Sequence, residues 1–403
     1  MTAVVSDQLG GEVVVRGSCA DGVVCFAGVD WWYHNRGHSE CQIMRRLARR
    51  VPVLWVNSIG MRRPTRAKSE LVFRRYMRKL GSTLKGLRRD ESGMWVYSPM
   101  FVPRYTPRMV ELNARSVGAQ ARVLARMLGI RRPAAWVTIP TAAGAMTNGW
   151  SRVVFNRSDE FSAFPEADAS LIRPLEGRLL SRADHVVYVN RVLYERERSG
   201  VKAATFVGHG VDYGHFAIEK PSADLPEELR QLPRPVIGFY GALDAYTIDL
   251  DLMIKTARAY PRGTLLVIGP KAMEIGRLLK EPNVVYLGPI PYARLPAYAA
   301  AFDVGIMPWL RNEWIRGCNP IKLKEYLALG FPIVTVRFPE LGCFDGLVYG
   351  ADTDEQFLDG VRAALAERDP RQKETRRQSV RADSWDAIAD KVAQMLDLEG
   401  TLE

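Results

Sequence analysis

The chain has 403 residues, more than one hydrophobic core usually supports, and its 47% hydrophobic content is enough to fill two. Its cysteines, Cys19, Cys25, Cys41, Cys318 and Cys343, are odd in number and form no C-x-x-C pair, so neither a disulfide framework nor a zinc site is indicated and a reducing cytoplasm is expected. The formal net charge of +11 is concentrated in one region, while the absence of a basic signal start and of any apolar run of about 18 residues argues against secretion and membrane spanning.

In chain order, a buried strand is predicted over residues 22–28. It is followed by the cluster Asp30-Trp31-Trp32-Tyr33-His34-Asn35-Arg36-Gly37-His38-Ser39 and a helix carrying Ile43, Met44 and Leu47. Residues 61–90 then hold eleven Lys/Arg against Glu70 and Asp90, with Leu71, Phe73, Met77, Leu80, Leu84 and Leu87 at roughly helical spacing. An apolar stripe beside a cationic face suits an anionic membrane surface. The alternative is a solvated basic insertion, and Gly81 and Gly86 weaken a continuous helix there. Because the cations are confined to this segment, with no zinc-finger, RNP or basic-zipper pattern beside them, nucleic acid is not an expected partner. A strand over residues 153–157 runs into the polar turn Ser158-Asp159-Glu160, and another over residues 183–189 precedes His209-Gly210-Val211-Asp212-Tyr213-Gly214-His215-Phe216.

The second half alternates more regularly. Apolar strands over residues 236–241, 264–270, 284–288 and 304–308 are separated by helical intervals, which predicts a parallel doubly wound sheet with ligands at the carboxyl ends of its strands. Gly241, Gly269 and Gly288 fall at those ends. Asp249-Leu250-Asp251 has the D-x-D form that can chelate a divalent metal, but it opens a helix pattern whose dipole accounts for acidic residues. No G-x-G-x-x-G turn is present, so neither sheet carries the usual dinucleotide fingerprint.

Residues 319–332 are the most informative stretch. A Pro-started helix entered through Asn319-Pro320 points its first free N–H groups, its positive dipole end and Lys322 toward one point, which suits a diphosphate. Glu325, three residues on, suits two sugar hydroxyls such as those of a ribose. The plain alternative is a capped surface helix with an i, i+3 Lys/Glu pair. Ser384 caps a last predicted helix with Trp385 as its anchor.

Taken together, four motifs in order resemble the donor half of bacterial GT-B glycosyltransferases. They are Gly238-Phe239-Tyr240-Gly241-Ala242-Leu243, then Leu287-Gly288-Pro289-Ile290-Pro291-Tyr292, then Asp303-Val304-Gly305-Ile306-Met307-Pro308, then Asn319-Pro320-Ile321-Lys322-Leu323-Lys324-Glu325-Tyr326-Leu327-Ala328. The similarity is greatest to teichuronic-acid-type and xanthan-pathway glucuronosyltransferase-like enzymes, and the Gly210-Val211-Asp212 joint extends it into the first half.

The resemblance implies an α/β fold of two Rossmann-like doubly wound domains facing across a cleft. An acceptor-binding domain would span residues 1–213 and a nucleotide-sugar domain residues 214–380, with a closing helix in residues 381–403 returning to the first domain. It implies a transferase that moves a sugar from a UDP-sugar to a hydroxyl of a saccharide or lipid-linked acceptor. No metal or other cofactor would be needed, because Lys322 and the helix terminus take the metal's place. Asp159 stands where related enzymes carry a catalytic aspartate and would accept the hydroxyl proton, with Glu160 as the fallback carboxylate. Capping the following turn is the alternative for Asp159. Ile290 and Tyr292 would border the base, and Trp31, Trp32, Arg36, Gly37 and His38 the acceptor, although a Trp pair is more often core. Gly317 stands eight residues before Glu325, where many retaining members carry a glutamate. The stereochemical outcome is left open by that departure, with a base at Asp159 favouring inversion. Peripheral attachment at the inner membrane face is expected through residues 61–90. The alternatives are transfer to a soluble natural product, a non-catalytic scaffold and a nucleotide-sugar epimerase.

Overall fold

The computed structural model describes residues 4–6, 12–14, 19–33, 37–61, 77, 81–164, 167–218 and 225–398. The chain divides into two compact units, Met1–Val207 with Ile388–Glu403, and Gly208–Ala387. An antiparallel pair, β1 (Val4–Ser6) and β2 (Glu12–Val14), precedes the first large sheet.

That sheet has eight strands: β3 (Gly22–Phe26), β4 (Val53–Val56), β5 (Leu87–Arg89), β6 (Trp95–Tyr97), β7 (Pro133–Val137), β8 (Arg152–Arg157), β9 (His185–Tyr188) and β10 (Ala204–Phe206). Their spatial order is β10-β9-β8-β7-β3-β4-β6-β5, and only the β5–β6 pair is antiparallel. Strands β3, β4 and β7 are buried along their whole length, as apolar runs covered on both faces must be. The helices that matter for the site are α1 (Ser39–Leu47), α2 (Pro107–Met127), α3 (Ala169–Arg182) and α4 (Arg191–Glu197). Thr106 caps α2 by accepting from the Met109 N–H, and Pro107 starts it with a preset φ.

The second unit's sheet is wholly parallel: β11 (Val236–Tyr240), β12 (Thr264–Ile268), β13 (Val284–Gly288), β14 (Val304–Met307), β15 (Ile333–Val336) and β16 (Tyr349–Ala351), ordered β13-β12-β11-β14-β15-β16. Its helices include α5 (Leu250–Ala259), α6 (Ile321–Leu329), α7 (Asp354–Ala366) and α8 (Arg371–Arg381). The closing helix α9 (Trp385–Met395) starts in this unit, and its residues from Ile388 group with the first. Among the parallel strands of each sheet the order reverses once, between β3 and β7 and between β11 and β14, and such switch points are where doubly wound sheets bind ligands.

Two local readings are corrected. Helix α6 begins at Ile321, with Pro320 outside it in an extended conformation, φ −82° and ψ 121°. The N–H groups of Ile321 and Lys322 therefore stand in the first turn, where no carbonyl of the helix can satisfy them. The helical spacing of the basic segment also fails at its end. Residues 81–85 are helical, Gly86 turns the chain at φ +57°, and Leu87 enters β5 opposite Tyr97. The rest of that segment, residues 62–76 and 78–80, lies outside the described residues.

Candidate active site

At the switch point of the second sheet, β11 ends in Tyr240 and turns at Gly241, whose φ of +147° favours glycine. A Cβ at Gly241 would sit 2.0 Å from Lys322 Nζ, and one at Gly269 would sit 1.9 Å from the Gly241 carbonyl oxygen. The glycines thus let the ends of β11 and β12 close up and bring the Lys322 ammonium directly over the strand end. Burial pulls the Lys322 ammonium below the usual lysine range, against the opposing pull of Glu325 and Asp244. Asn319 and Pro320 lead into this helix end, half-buried.

One turn along, Glu325 is buried and its Oε2 accepts from the Tyr240 hydroxyl at 2.8 Å. Burial pushes the Glu325 carboxyl up to about 7, although the Tyr240 hydroxyl and Lys322 both hold it down. Tyr326 accepts from the Tyr240 N–H at 3.0 Å, which fixes the strand end against α6. Gly241, Gly269, Lys322 and Glu325 are therefore brought together. Ile290 and Tyr292 follow β13, and Tyr292 stacks on His215 at 5.0 Å, while His215 Nε2 lies 3.0 Å from the Tyr292 carbonyl oxygen. Asp249 caps α5 by accepting from the Leu252 N–H at 2.9 Å, and Asp251 pairs with Arg277, so the D-x-D acids serve a helix start. Among the described residues no group of three or more His, Cys, Asp or Glu side chains is arranged to hold a metal ion.

In the first unit, β8 delivers Arg157, Ser158, Asp159 and Glu160 to the carboxyl edge. Arg157 is buried between Glu176 and Glu197 and donates to the Asp159 carbonyl oxygen at 2.8 Å, which anchors the turn. Burial raises the Asp159 carboxyl, and the Ser158 hydroxyl and Arg157 offset part of that. Glu160 is paired with Arg196 at 3.0 Å. The Trp loop leaves the same edge at the end of β3, two strand spacings or roughly 10 Å from β8. Trp31 is only 1% exposed and packs edge-on to Trp55, so it is a core residue, and of the two tryptophans only Trp32 remains accessible for an acceptor. Trp32 Nε1 donates to Ser98 Oγ at 3.3 Å and Lys85 Nζ lies 4.4 Å from the ring centre. His38 is exposed at the start of α1 beside half-buried Gly37, and Arg36 lies outside the described residues.

Residues 234–367 match the family of glycosyl transferases group 1. Over 271 residues the chain is 26% identical to the "Putative teichuronic acid biosynthesis glycosyltransferase TuaH" of Bacillus subtilis (strain 168), covering 62% of this chain and 68% of that protein. Among solved structures it resembles sucrose-phosphate synthase from Thermosynechococcus elongatus, with a TM-score of 0.67, 15% identity and 93% and 98% of the two chains covered. It also resembles the E. coli structure described as trehalose-6-phosphate bound with UDP-2-fluoro glucose, with a TM-score of 0.63, 13% identity and 93% and 98% covered. The chain is a GT-B glycosyltransferase.

Several residues of this glycosyltransferase escaped sequence reasoning. Tyr240 stands inside a recognised motif, yet its bond to Glu325 spans 85 positions and no local pattern announces it. His215 likewise meets Tyr292 from a distant segment. Glu40 is the largest omission. It is buried in the first turn of α1, where it accepts from the N–H groups of Gly28 and Val29 at 3.2 Å and from the Thr138 hydroxyl. Asn156 Nδ2 lies 3.4 Å from Thr138 Oγ1. A polar chain therefore joins the end of β8 to the loop after β3. Its only sequence signal was an acid two residues into a predicted helix, which usually reads as a dipole partner. Arg311 and Arg316, in the chain just before α6, are paired with Asp354 and Glu313 at 3.0 Å each.

Proposed function

We propose that this glycosyltransferase moves a sugar from a UDP-sugar to a hydroxyl of a saccharide or lipid-linked acceptor without a metal ion. The supporting observation is the Lys322 ammonium seated over Gly241 at the switch point of the second sheet, beside the buried Tyr240–Glu325 pair. Lys322 and the Ile321 and Lys322 N–H groups would neutralise the diphosphate as it departs. Glu325 would accept from the ribose hydroxyls. The choice of uridine is supported by the UDP-sugar named with the E. coli structure of similar fold. A saccharide acceptor is supported by the teichuronic acid pathway named for the Bacillus relative.

In the reaction, the acceptor oxygen forms a bond to the anomeric carbon while the bond from that carbon to the β-phosphate oxygen breaks. UDP leaves with the electron pair, and the hydroxyl proton passes to Asp159. Burial raises the Asp159 carboxyl, which makes it a better proton acceptor than an exposed aspartate would be. Peripheral attachment to an anionic membrane surface through residues 61–90 is part of the same reading, and no helix of the described residues is long and apolar enough to cross a membrane.

A thermal-shift screen across uridine, guanosine and thymidine diphosphate sugars tests the donor, because a ligand held only by the folded state raises its melting temperature. Uridine compounds should give the largest shift. Lys322→Ala should weaken UDP binding by roughly tenfold or more, the scale of a lost charge-assisted hydrogen bond. Retention of full UDP affinity in both Lys322→Ala and Glu325→Ala means the pocket is elsewhere. Donor binding without turnover, with Asp159→Ala equal to the parent, favours a non-catalytic scaffold.

A further inference from the structure

The first unit displays an apolar strip that the sequence did not single out, and most of it lies beyond the basic segment. Leu84, Met100, Val102 and Leu112 are 77, 67, 48 and 59% exposed. Backbone and side-chain bonds make these positions neighbours. The Ser98 N–H donates to the Gly86 carbonyl at 3.1 Å, which brings the chain before Met100 alongside the turn after Leu84. Met100 is held on α2 by Gln120, whose Oε1 and Nε2 meet its N–H and carbonyl at 3.2 and 3.0 Å. Val102 is held in the same way by Asn113 at 3.0 and 2.7 Å, next to Leu112 on the helix. Side-chain amides thus bind the backbone while Met100 and Val102 face solvent.

The strip is bordered by exposed cations. Lys85, Arg88, Arg104 and Arg108 are exposed, and among the described residues none of the four is paired with a carboxylate. The acid nearest on α2, Glu111, is already shared by Arg115 and Arg178 at 2.7 and 2.8 Å. We propose that this strip and its four cations form a docking surface for an anionic lipid bilayer. Apolar side chains would enter the headgroup boundary while the cations meet lipid phosphates. A strip bordered by cations that lack carboxylate partners complements a negatively charged surface and repels a basic one.

The surface is also wired to the acceptor loop. Ser82, two residues before Leu84, lies 2.9 Å from Ser98 Oγ, and Asn57 donates to both hydroxyls while accepting from the Trp31 N–H at 2.7 Å. Ser98 also accepts from Trp32, and Lys85 covers the Trp32 ring. A bilayer seated on Leu84 and Lys85 therefore lies next to the loop that carries Trp32, where a lipid-linked acceptor would have to arrive. This inference rests on the lipid-side reading of the proposed function.

The test is flotation of the full chain with phosphatidylcholine vesicles, alone or mixed with phosphatidylglycerol. The parent protein should float only with the anionic mixture, and less so at high salt. Met100→Asp combined with Val102→Asp should lower the bound fraction by at least about tenfold through lost apolar burial. Arg104→Gln combined with Arg108→Gln should lower it about thirtyfold, at roughly fivefold per cation. All four positions are exposed, so melting temperature and UDP binding should stay at parental values. Parental flotation in both double variants overturns this surface while leaving attachment through the rest of residues 61–90 intact. No flotation of the parent overturns both the surface and the lipid-side reading, without touching sugar transfer to a soluble acceptor. Self-association in sedimentation that the Met100→Asp, Val102→Asp change abolishes would assign the strip to a second copy and overturn the lipid assignment.

Discussion

Glu325 and Glu40 are both buried carboxyls pushed up to about 7, but the groups around them differ. Glu325 has Tyr240 and Lys322 beside it, which favour its charged form, the form that would accept from sugar hydroxyls in the proposed function. Hydrogen bonds to a charged acceptor exceed neutral ones by about 1–1.5 kcal/mol. UDP affinity should therefore weaken by roughly tenfold as pH falls through about 7, and calorimetric titration of Glu325→Gln should show a lower affinity without that pH step. Glu40 instead meets backbone N–H groups and a hydroxyl, with no cation among the partners that shift it. Its raised pKa means that the folded state holds a proton more tightly than the unfolded chain. The stabilisation is complete below the unfolded value of 4.5 and is lost as pH rises through about 7. The loss is on the order of 3 kcal/mol from this one group. Denaturant melts at several pH values should show the slope in the parent and a flatter profile in Glu40→Gln.

At the scale of elements, helix α6 is positioned by its contacts with the end of β11. Gly241 is one of them, since any side chain there meets the Lys322 ammonium. Gly241→Ala should abolish the UDP thermal shift while adding backbone strain of roughly 1 kcal/mol or more from the positive φ. Lys324, on the same helix as Lys322, performs a different task. Its ammonium is buried and donates to the His209 carbonyl at 2.5 Å and to Asp383 at 2.7 Å. Residues 209–211 and 383–385 run side by side, joined by the Val211 N–H to the Asp383 carbonyl and the Trp385 N–H to the Val211 carbonyl. These are the two stretches of chain next to the unit boundaries. Lys324→Met should lower stability by about 1–2 kcal/mol, read as a lower denaturant midpoint, with UDP affinity changed far less than in Lys322→Ala.

For the molecule as a whole, the two sheets predict a division of labour that hydrogen exchange can read on the full chain. UDP should protect amides near residues 238–243 and 319–326, where strand ends and helix start converge, and leave residues 22–33 near their free rates. Protection confined to the first unit would remove the donor assignment.

Much of this architecture was legible before any coordinates. Short apolar runs announced β3, β8, β9 and β11 to β14, and a glycine closes β11, β12 and β13, because a parallel strand buried on both faces has few polar positions to disguise it, whereas β4 to β7 and β10 went unread. The Asn319-to-Gly330 pattern announced helix α6 and its stop at Gly330 for an equally local reason, since caps, dipoles and stop signals act within one turn. The basic segment misled at Leu87, where pairing with β6 overrode helical spacing. What tertiary structure alone decided is which side chains meet. Trp31 went to the core and Trp32 stayed half-buried although they are adjacent in sequence. Tyr240 found Glu325, and Glu40 found Gly28 and Thr138, across separations no periodicity encodes. Burial then set the acidity of those carboxyls, because desolvation depends on what the whole fold packs around a group and not on its neighbours in the chain.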